Sequence, residues 1–418
     1  MEILRRFILH SDLNNFYASV ECLLNPKIRK DAVLVVGDQE KRHGVVLAKN
    51  YVAKSFGVRT GETVYEAETK IAGKAKVTKI TARLSVYQKI SKKIKQVYLK
   101  YTDNVESFGI DESWLDISKN AKDYTEAMQI AEMIRKEVKE TFGLTVSIGV
   151  SFNKIFAKLG SDLRKPDAIT LITRGNFKDR IWGLPANNLL YVGRATDKKL
   201  EKLNIKTIGD VAKADVTFLE KYFGVMGRRL WEFANGLDLS PVKHSSDKDE
   251  IKSIGNSTTC PKDLTTIEEV KTVIYTLSEC VANRLKKENY YCKEIQIFIK
   301  DFELNSIERQ MKLPYPTDTC NDIAKYSIEL FEKSYDLSTP IRAIGIRLKD
   351  FSEVMQTNLL TTNHQIAKSE QLDNIIGKIK KKYGYMSIGR GNMLLDEALG
   401  EINPQAELHI IHPQYYRF

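Results

Sequence analysis

The sequence is poor in the residues that staple or chelate. Cysteine occurs five times in 418 residues (Cys22, Cys260, Cys280, Cys292, Cys320), an odd set without Cys-x-x-Cys spacing or a neighbouring His-x-x-x-His. That excludes a disulfide framework and a structural zinc site, and it points to a reducing compartment. No run approaches eighteen consecutive apolar residues, and the start Met1-Glu-Ile-Leu-Arg-Arg6 has no signal-peptide architecture. Neither a membrane span nor export is therefore expected. Global disorder is excluded by 42% hydrophobic and 28% charged residues, the balance of a globular chain. Acidic charge is in the minority: 65 Lys and Arg against 54 Asp and Glu give +11. Between Lys70 and Lys100 there are ten Lys or Arg and no acid at all. An excess of this kind suits a polyanion such as nucleic acid, although a solvated helix face would look the same.

The length allows two to four domains. Phe7–Ser11 is strand-like and ends at Asp12, and Asn15–Leu24 has helical spacing. Leu84, Tyr87, Ile90, Ile94 and Val97 recur at three- and four-residue steps, so a helix carries much of the basic run on its other face. Val105–Ile110 and Ser113–Ser118 read as a hairpin turning at Asp111-Glu112. Asp123-x-x-Glu126 opens a helix in capping-box style, and Leu144–Ser151 is a buried strand. With the insertion from about Pro26 to Ala82 set aside, the order is that of a split βαβ unit. Its first strand lies beside the hairpin, which brings Asp12 and the Asp111-Glu112 pair to one sheet end.

Residues 190–210 read as helix, glycine turn, helix, and Leu219–Leu230 echoes them. The polar stretch 239–250 reads as a linker. Beyond it, strand (252–259), helix (266–287), strand (293–300), strand (306–313), helix (318–334) and strand (341–348) spell a second split βαβ unit. The tail from about Ser352 holds a basic helix over Glu370–Tyr383.

Three carboxylates at a sheet end offer hard oxygen ligands to magnesium, and three can hold two ions for in-line phosphoryl displacement. Spacing alone leaves open that Asp12 is a helix N-cap and Asp111-Glu112 a polar turn.

The motifs His10-Ser-Asp-Leu-Asn-Asn-Phe-Tyr-Ala-Ser-Val-Glu21, Tyr51-Val-Ala-Lys-Ser-Phe-Gly-Val-Arg59 and Ser107-Phe-Gly-Ile-Asp-Glu-Ser-Trp-Leu-Asp116 resemble, in order and spacing, those of the Y-family translesion DNA polymerases. The resemblance covers residues 1 to about 350. It implies an α+β multidomain right-hand polymerase: a split βαβ palm (1–25 and 83–170), small fingers (26–82), a helix-hairpin-helix thumb (171–238), a linker (239–251) and a βαββαβ little finger (252–351), followed by a tail (352–418). It also implies template-directed, low-fidelity synthesis from deoxynucleoside triphosphates on primer-template DNA with two magnesium ions. Asp12, Asp111 and Glu112 would be the catalytic metal ligands, joined by the Leu13 carbonyl. Tyr17 would be the steric gate against a ribose 2′-hydroxyl. Tyr51, Lys54 and Lys165 would contact the triphosphate, and Val45 and Leu47 would cover the nascent base pair.

This sequence departs from the family pattern in three places. Asn14 stands where many members have an acid, Lys54 replaces a frequent Arg, and Tyr191-Val-Gly193 stands for Gly-x-Gly in the thumb. Loss of that first glycine should restrict a turn whose amides approach phosphate. In the tail, Gln356-Thr-Asn-Leu-Leu360 resembles a bacterial sliding-clamp peptide, with Gln356, Leu359 and Leu360 as contacts; an ordinary loop fits equally well. The expected protein is a cytoplasmic bacterial monomer, its subgroup left open. The rival readings are a non-catalytic DNA-binding protein on the same scaffold and a nucleotidyl cyclase, against which the hairpins at 190–230 count.

Overall fold

The computed structural model describes residues 5–37, 44–247, 250–353 and 363–403. They divide into two compact units, the first ending at Asp247. In the first, strand β1 (Ile8–Leu13) is buried along its whole length and passes through Asn15, at φ 48°, into α1 (Phe16–Leu24). An insertion follows: β2 (Ala32–Val36), β3 (Val46–Lys49), α2 (Tyr51–Ser55), α3 (Val64–Ile71) and β4 (Val77–Thr81). Its strands form a separate sheet, β3-β2-β4, with β2 and β4 parallel. Ala32, Leu34, Val36, Val46, Ala53 and Ile71 give that sheet a core of its own.

The chain then builds α4 (Leu84–Tyr98), β5 (Val105–Ser107), β6 (Glu112–Asp116), α5 (Tyr124–Phe142), β7 (Val146–Ser151), α6 (Lys154–Leu163) and β8 (Ile169–Leu171). The sheet order is β5-β6-β1-β7-β8, with β1 antiparallel to both neighbours. This is the split βαβ order expected, extended by β8 parallel to β7. Three residues are too short to display a two-residue period, so β8 could not be read from the sequence. Asp123 caps α5 by accepting from the Thr125 and Glu126 N–H groups, but Glu126 takes the Lys122 N–H rather than that of Asp123, so the expected box is only half formed.

A helical region completes the unit: α7 (Phe177–Ile181), α8 (Arg194–Lys202), α9 (Ile208–Lys213), α10 (Val216–Phe223) and α11 (Val225–Ala234). The α8–α9 turn is made by Asn204 at φ 59°, not by a glycine; Gly209 lies inside α9, with Trp182 packed where a side chain would stand. The stretch read as a linker begins packed. The Ser240 carbonyl accepts from Arg6, Val242 is buried beside Ile8 and Trp114, and the Lys243 and Ser245 N–H groups donate to Glu106 and to the Asp103 carbonyl.

The second unit contains β9 (Ser253–Leu264), α12 (Ile267–Lys287), β10 (Tyr291–Asp301), β11 (Ser306–Thr317), α13 (Cys320–Ser334) and β12 (Ile341–Ser352). The element order matches the expectation, but the sheet order β11-β10-β12-β9 places the second and fourth strands in the centre. It is not the order of the first unit's sheet: element order along the chain does not by itself fix which strands pair. After it, α14 (Asn363–Tyr383) and α15 (Glu397–Gly400) pack on the helices of this sheet. Leu399 and Ile402 enter its core, and Asp373 accepts from Lys286 and from the Cys320 N–H. Gln356, Leu359 and Leu360 lie outside the described residues.

Candidate active site

Register places the first two acids. Asp12 pairs directly with Glu112 at the end of the β1–β6 ladder, so both side chains leave the same face of the sheet. The Leu13 N–H donates to the Asp111 carbonyl at 3.0 Å, which fixes the turn that carries the third acid; the Leu13 side chain itself is in the core.

Helix α6 lies against this sheet at backbone-to-backbone range. A Cβ on Gly149 of β7 would stand 1.9 Å from the Ala157 carbonyl oxygen, so only glycine permits the approach. The close packing sets Lys158 of α6 over the carboxylates. Its Nζ lies 3.2 Å from Asp12 Oδ2, 3.0 Å from Glu112 Oε2 and 3.1 Å from Asp162 Oδ2. Lys165 Nζ reaches Asp12 Oδ2 at 2.7 Å and Asp162 Oδ1 at 2.9 Å. On the other side, His10 Nε2 is 3.3 Å from Glu112 Oε2, and its Nδ1 is hydrogen-bonded with Ser161 Oγ at 2.9 Å.

The charges divide unevenly. Burial works against the charge on Lys158, but Glu112, Asp12 and Asp162 outweigh it and hold the ammonium protonated. Burial, with Lys158 beside it, pushes His10 well below the usual imidazole range, so the ring is neutral. Asp111 is pushed up to about 7 by burial and by the charges of Glu112 and Asp12. The pocket thus holds more negative charge than its lysines offset. As the side chains stand, no group of three acid, histidine or cysteine side chains among the described residues is poised to hold an ion, and lysines sit on one oxygen each of Asp12 and Glu112. The donor set fits a hard divalent cation: carboxylate oxygens at one sheet edge, one of them destabilised by its like-charged neighbours.

Tyr17, in the first turn of α1, stacks on Tyr87 with ring centres 4.4 Å apart. The Tyr87 hydroxyl donates to Glu21 at 2.6 Å, and Glu21 also pairs with Arg83. The Tyr17 phenol is pushed up to about 12 by burial and by the charge of Asp111. Tyr51 opens α2 behind Asn50, whose Oδ1 accepts from the Ala53 and Val33 N–H groups. Burial raises the Tyr51 phenol, and Lys165 and Asp12 are close enough to act on it. Lys54 Nζ lies 5.5 Å from the Tyr51 ring centre. The insertion therefore places Tyr51 within electrostatic range of Asp12 and Lys165, with Lys54 beside its ring. Val45 is exposed and Leu47 half-buried, on either side of Val46, which enters the core of the small sheet. Asn14 is a buried brace: its Nδ2 donates to Ser147 Oγ, and its Oδ1 accepts from Thr145 Oγ1 and the Asp167 N–H.

Sequence reasoning missed Lys158 and Asp162. The available signal was a lysine amid Ile155, Phe156, Ala157 and Leu159, with an acid one turn on and Lys165 just beyond the helix.

Family models cover most of the chain. Residues 11–162 match the impB/mucB/samB family, residues 251–359 its C-terminal domain, and residues 188–238 the DNA polymerase-iota thumb domain. A DNA polymerase IV of Acetivibrio thermocellus is 48% identical over 402 residues, 96% of this chain and 100% of its own. The chain belongs to the impB/mucB/samB family of Y-family DNA polymerases. Its relatives include the DNA polymerase IV of Clostridium acetobutylicum, 34% identical over 94% of this chain and 99% of its own, and DNA polymerase IV 1 of Bacillus subtilis, 33% identical over 94% of each. A solved chimera of the Y-family polymerases Dbh and Dpo4 superposes with TM-score 0.73 at 23% identity, over 84% of this chain and all of its own, a likeness of fold. This Y-family member is a DNA-directed DNA polymerase of the translesion class, and polymerases of the family depend on metal ions. No helix among its described residues is long and apolar enough to cross a membrane.

Proposed function

We propose that the polymerase joins deoxynucleotides to a primer 3′-hydroxyl at the edge formed by Asp12, Asp111 and Glu112, with release of pyrophosphate. The observation that carries this reading is the direct cross-strand pairing of Asp12 with Glu112, beside an Asp111 that burial and its neighbours push up to about 7. Three acids forced together in this way are costly unless a cation is their working partner.

Asp12, Asp111 and Glu112, with the Leu13 carbonyl, would hold two magnesium ions, whose contribution when bound is Lewis acidity toward the attacking hydroxyl and the transferred phosphate. Lys165, Lys54 and the Tyr51 hydroxyl bind and orient the triphosphate, offsetting charge that grows as the α-phosphate is attacked. The Tyr17 ring, held by Tyr87, excludes a 2′-hydroxyl. Val45 and Leu47 cover the nascent pair with small aliphatic groups, which supports low fidelity. Residues 1–25 and 83–170 act as palm, 26–82 as fingers, 171–238 as thumb and 252–351 as little finger. Basic residues of the thumb and little finger, such as Lys198, Lys202, Arg309 and Arg347, hold the primer-template duplex through phosphates, so binding should weaken steeply with salt. Gln356, Leu359 and Leu360 supply a sliding-clamp peptide on a protein that works as a monomer in the bacterial cytoplasm.

The deciding experiment is primer extension on undamaged and abasic templates with magnesium, comparing wild type with Asp111→Ala. Extension by wild type, including synthesis past the abasic position, that disappears in the variant is the expected result. Equal extension by both proteins would remove Asp111 from the reaction.

A further inference from the structure

Lys158 is a cation already seated among the acids. Its ammonium touches Asp12, Glu112 and Asp162 at once, and its side chain is only 12% exposed. It has little freedom to be elsewhere by chance: α6 is pressed onto β7 at Gly149 and Gly160, and the neighbouring Ile155, Phe156, Ala157 and Leu159 are buried. A divalent ion between Asp12 and Glu112 would stand within a few ångströms of a fixed positive charge, in a setting where water screens little. Ion and ammonium compete for those oxygens.

Asp162 offers a way out. It lies one helical turn beyond Lys158 and is 45% exposed, and it also holds Lys165. Both lysines can thus let go of Asp12 without losing their last anionic partner.

Resting on the ligand reading above, we propose that Lys158 is a positioning residue that competes with the divalent cation for Asp12 and Glu112. In the absence of nucleotide it keeps the acids together and cation affinity low. When the ion arrives with a triphosphate, Lys158 withdraws to Asp162, while Lys165 turns from Asp12 to the phosphates. The lysine makes ion binding conditional on substrate, so the protein does not carry an idle metal.

The test uses Mn²⁺ alone, titrated into the full-length, nucleotide-free protein and followed by its paramagnetic resonance signal. Lys158→Met removes the competitor and should tighten Mn²⁺ binding on the order of tenfold, the size of an ordinary coupling between sites. Asp162→Asn removes the alternative partner, drives both lysines onto Asp12 and should weaken binding by a similar factor. Lys158→Arg keeps the charge and should stay near wild type, and it serves with Asp162→Asn if the Met variant does not fold. Unchanged Mn²⁺ affinity in both Lys158→Met and Asp162→Asn overturns the proposal while leaving the ligand reading intact. Wild-type binding that survives Asp111→Asn and Asp12→Asn together would overturn the ligand reading, and this proposal with it.

Discussion

Asp12 and Glu112 face each other at the end of one β-ladder, and a single ammonium, that of Lys158, touches both. Like charges directly opposite across a ladder are destabilising, and Asp111 adds a third acid that burial and these two neighbours push up to about 7. The cluster is a place where the fold gives up stability for function. Asp111→Asn should therefore stabilise the protein in chelator by about 1 kcal/mol, read as a raised melting temperature. The same change should lower primer extension by at least about a hundredfold. A variant that is both less stable in chelator and inactive would indicate that Asp111 holds the turn rather than serving the reaction.

The steric gate proposed at Tyr17 is only as good as what holds it. Tyr17 rests on Tyr87 in a near-parallel stack, 4.4 Å between centres and 16° between planes, and Tyr87 is anchored through Glu21. Tyr17→Ala should raise the use of ribonucleotides relative to deoxynucleotides by about a hundredfold, the scale on which a pocket discriminates by steric exclusion. Single-nucleotide insertion with each class of triphosphate measures it. An unchanged ratio would assign discrimination to another side chain.

The parts of this molecule legible in its sequence are those whose burial is one-sided and repeated. Helix α4 occupies Leu84–Tyr98, the span its apolar steps predict, and β1 reads as a strand through its run of buried residues. Asp12 and Glu112 could be placed at one sheet end because a split βαβ order leaves few alternatives for the first strand. Lys158 was not legible, because a lysine is exposed by default and its burial depends on three acids contributed by two strands and its own helix. The sheet order of the second unit and the docking of the tail on it depend on pairings between distant segments, which periodicity within one segment does not encode.

The thumb turn shows what that distinction means for DNA contact. The missing glycine at Tyr191 suggests a restricted turn, yet Tyr191 adopts φ 73°, a left-handed conformation that glycine takes freely. The cost for a side chain is roughly 1–2 kcal/mol, offset by packing of the ring beside Phe233, 6.0 Å between centres. Tyr191→Gly should relieve the strain but lose more in buried aromatic surface, a net destabilisation of about 1–2 kcal/mol. Because the turn already has the glycine-like conformation, duplex affinity measured by fluorescence anisotropy should change by no more than about threefold. A large gain in affinity would show that the tyrosine, not the backbone, limits that contact.

Asp318 gives the second unit a pH dependence. Burial pushes its carboxyl up to about 6 from the usual 3.8, with Lys286 opposing the rise and Glu370 and Asp373 adding to it. The folded state thus keeps a proton that the unfolded chain releases. Stability falls as pH rises from about 4 to about 6, and the full cost, roughly 3 kcal/mol, remains above that range. Asp318→Asn should raise stability toward urea by about that amount at pH 8 and by clearly less at pH 5. The same gain at both values would mean that the carboxyl does not titrate in this window.

The tail is the last place where position in the sequence misleads. It follows the final strand of the second sheet and reads as an appendage, yet Leu399 is fully buried in that sheet's core and Ile402 nearly so. Polar links fix the same segment: Lys380 to Glu279 at 2.6 Å, Asp373 to Lys286 at 2.8 Å and Lys262 to Asp396 at 2.5 Å. The Lys262 pair is partly exposed and contributes little, and in the two buried pairs desolvation offsets much of the attraction, so most of the anchoring energy must lie in the apolar side chains. Leu399→Ala should therefore cost about 2–4 kcal/mol, whereas Asp396→Asn should cost less than about 1 kcal/mol. Urea denaturation of the two variants gives the comparison. Equal and small losses would mean that the second unit is stable without its tail, and that the segment after Asn363 is carried by the unit rather than being part of its core.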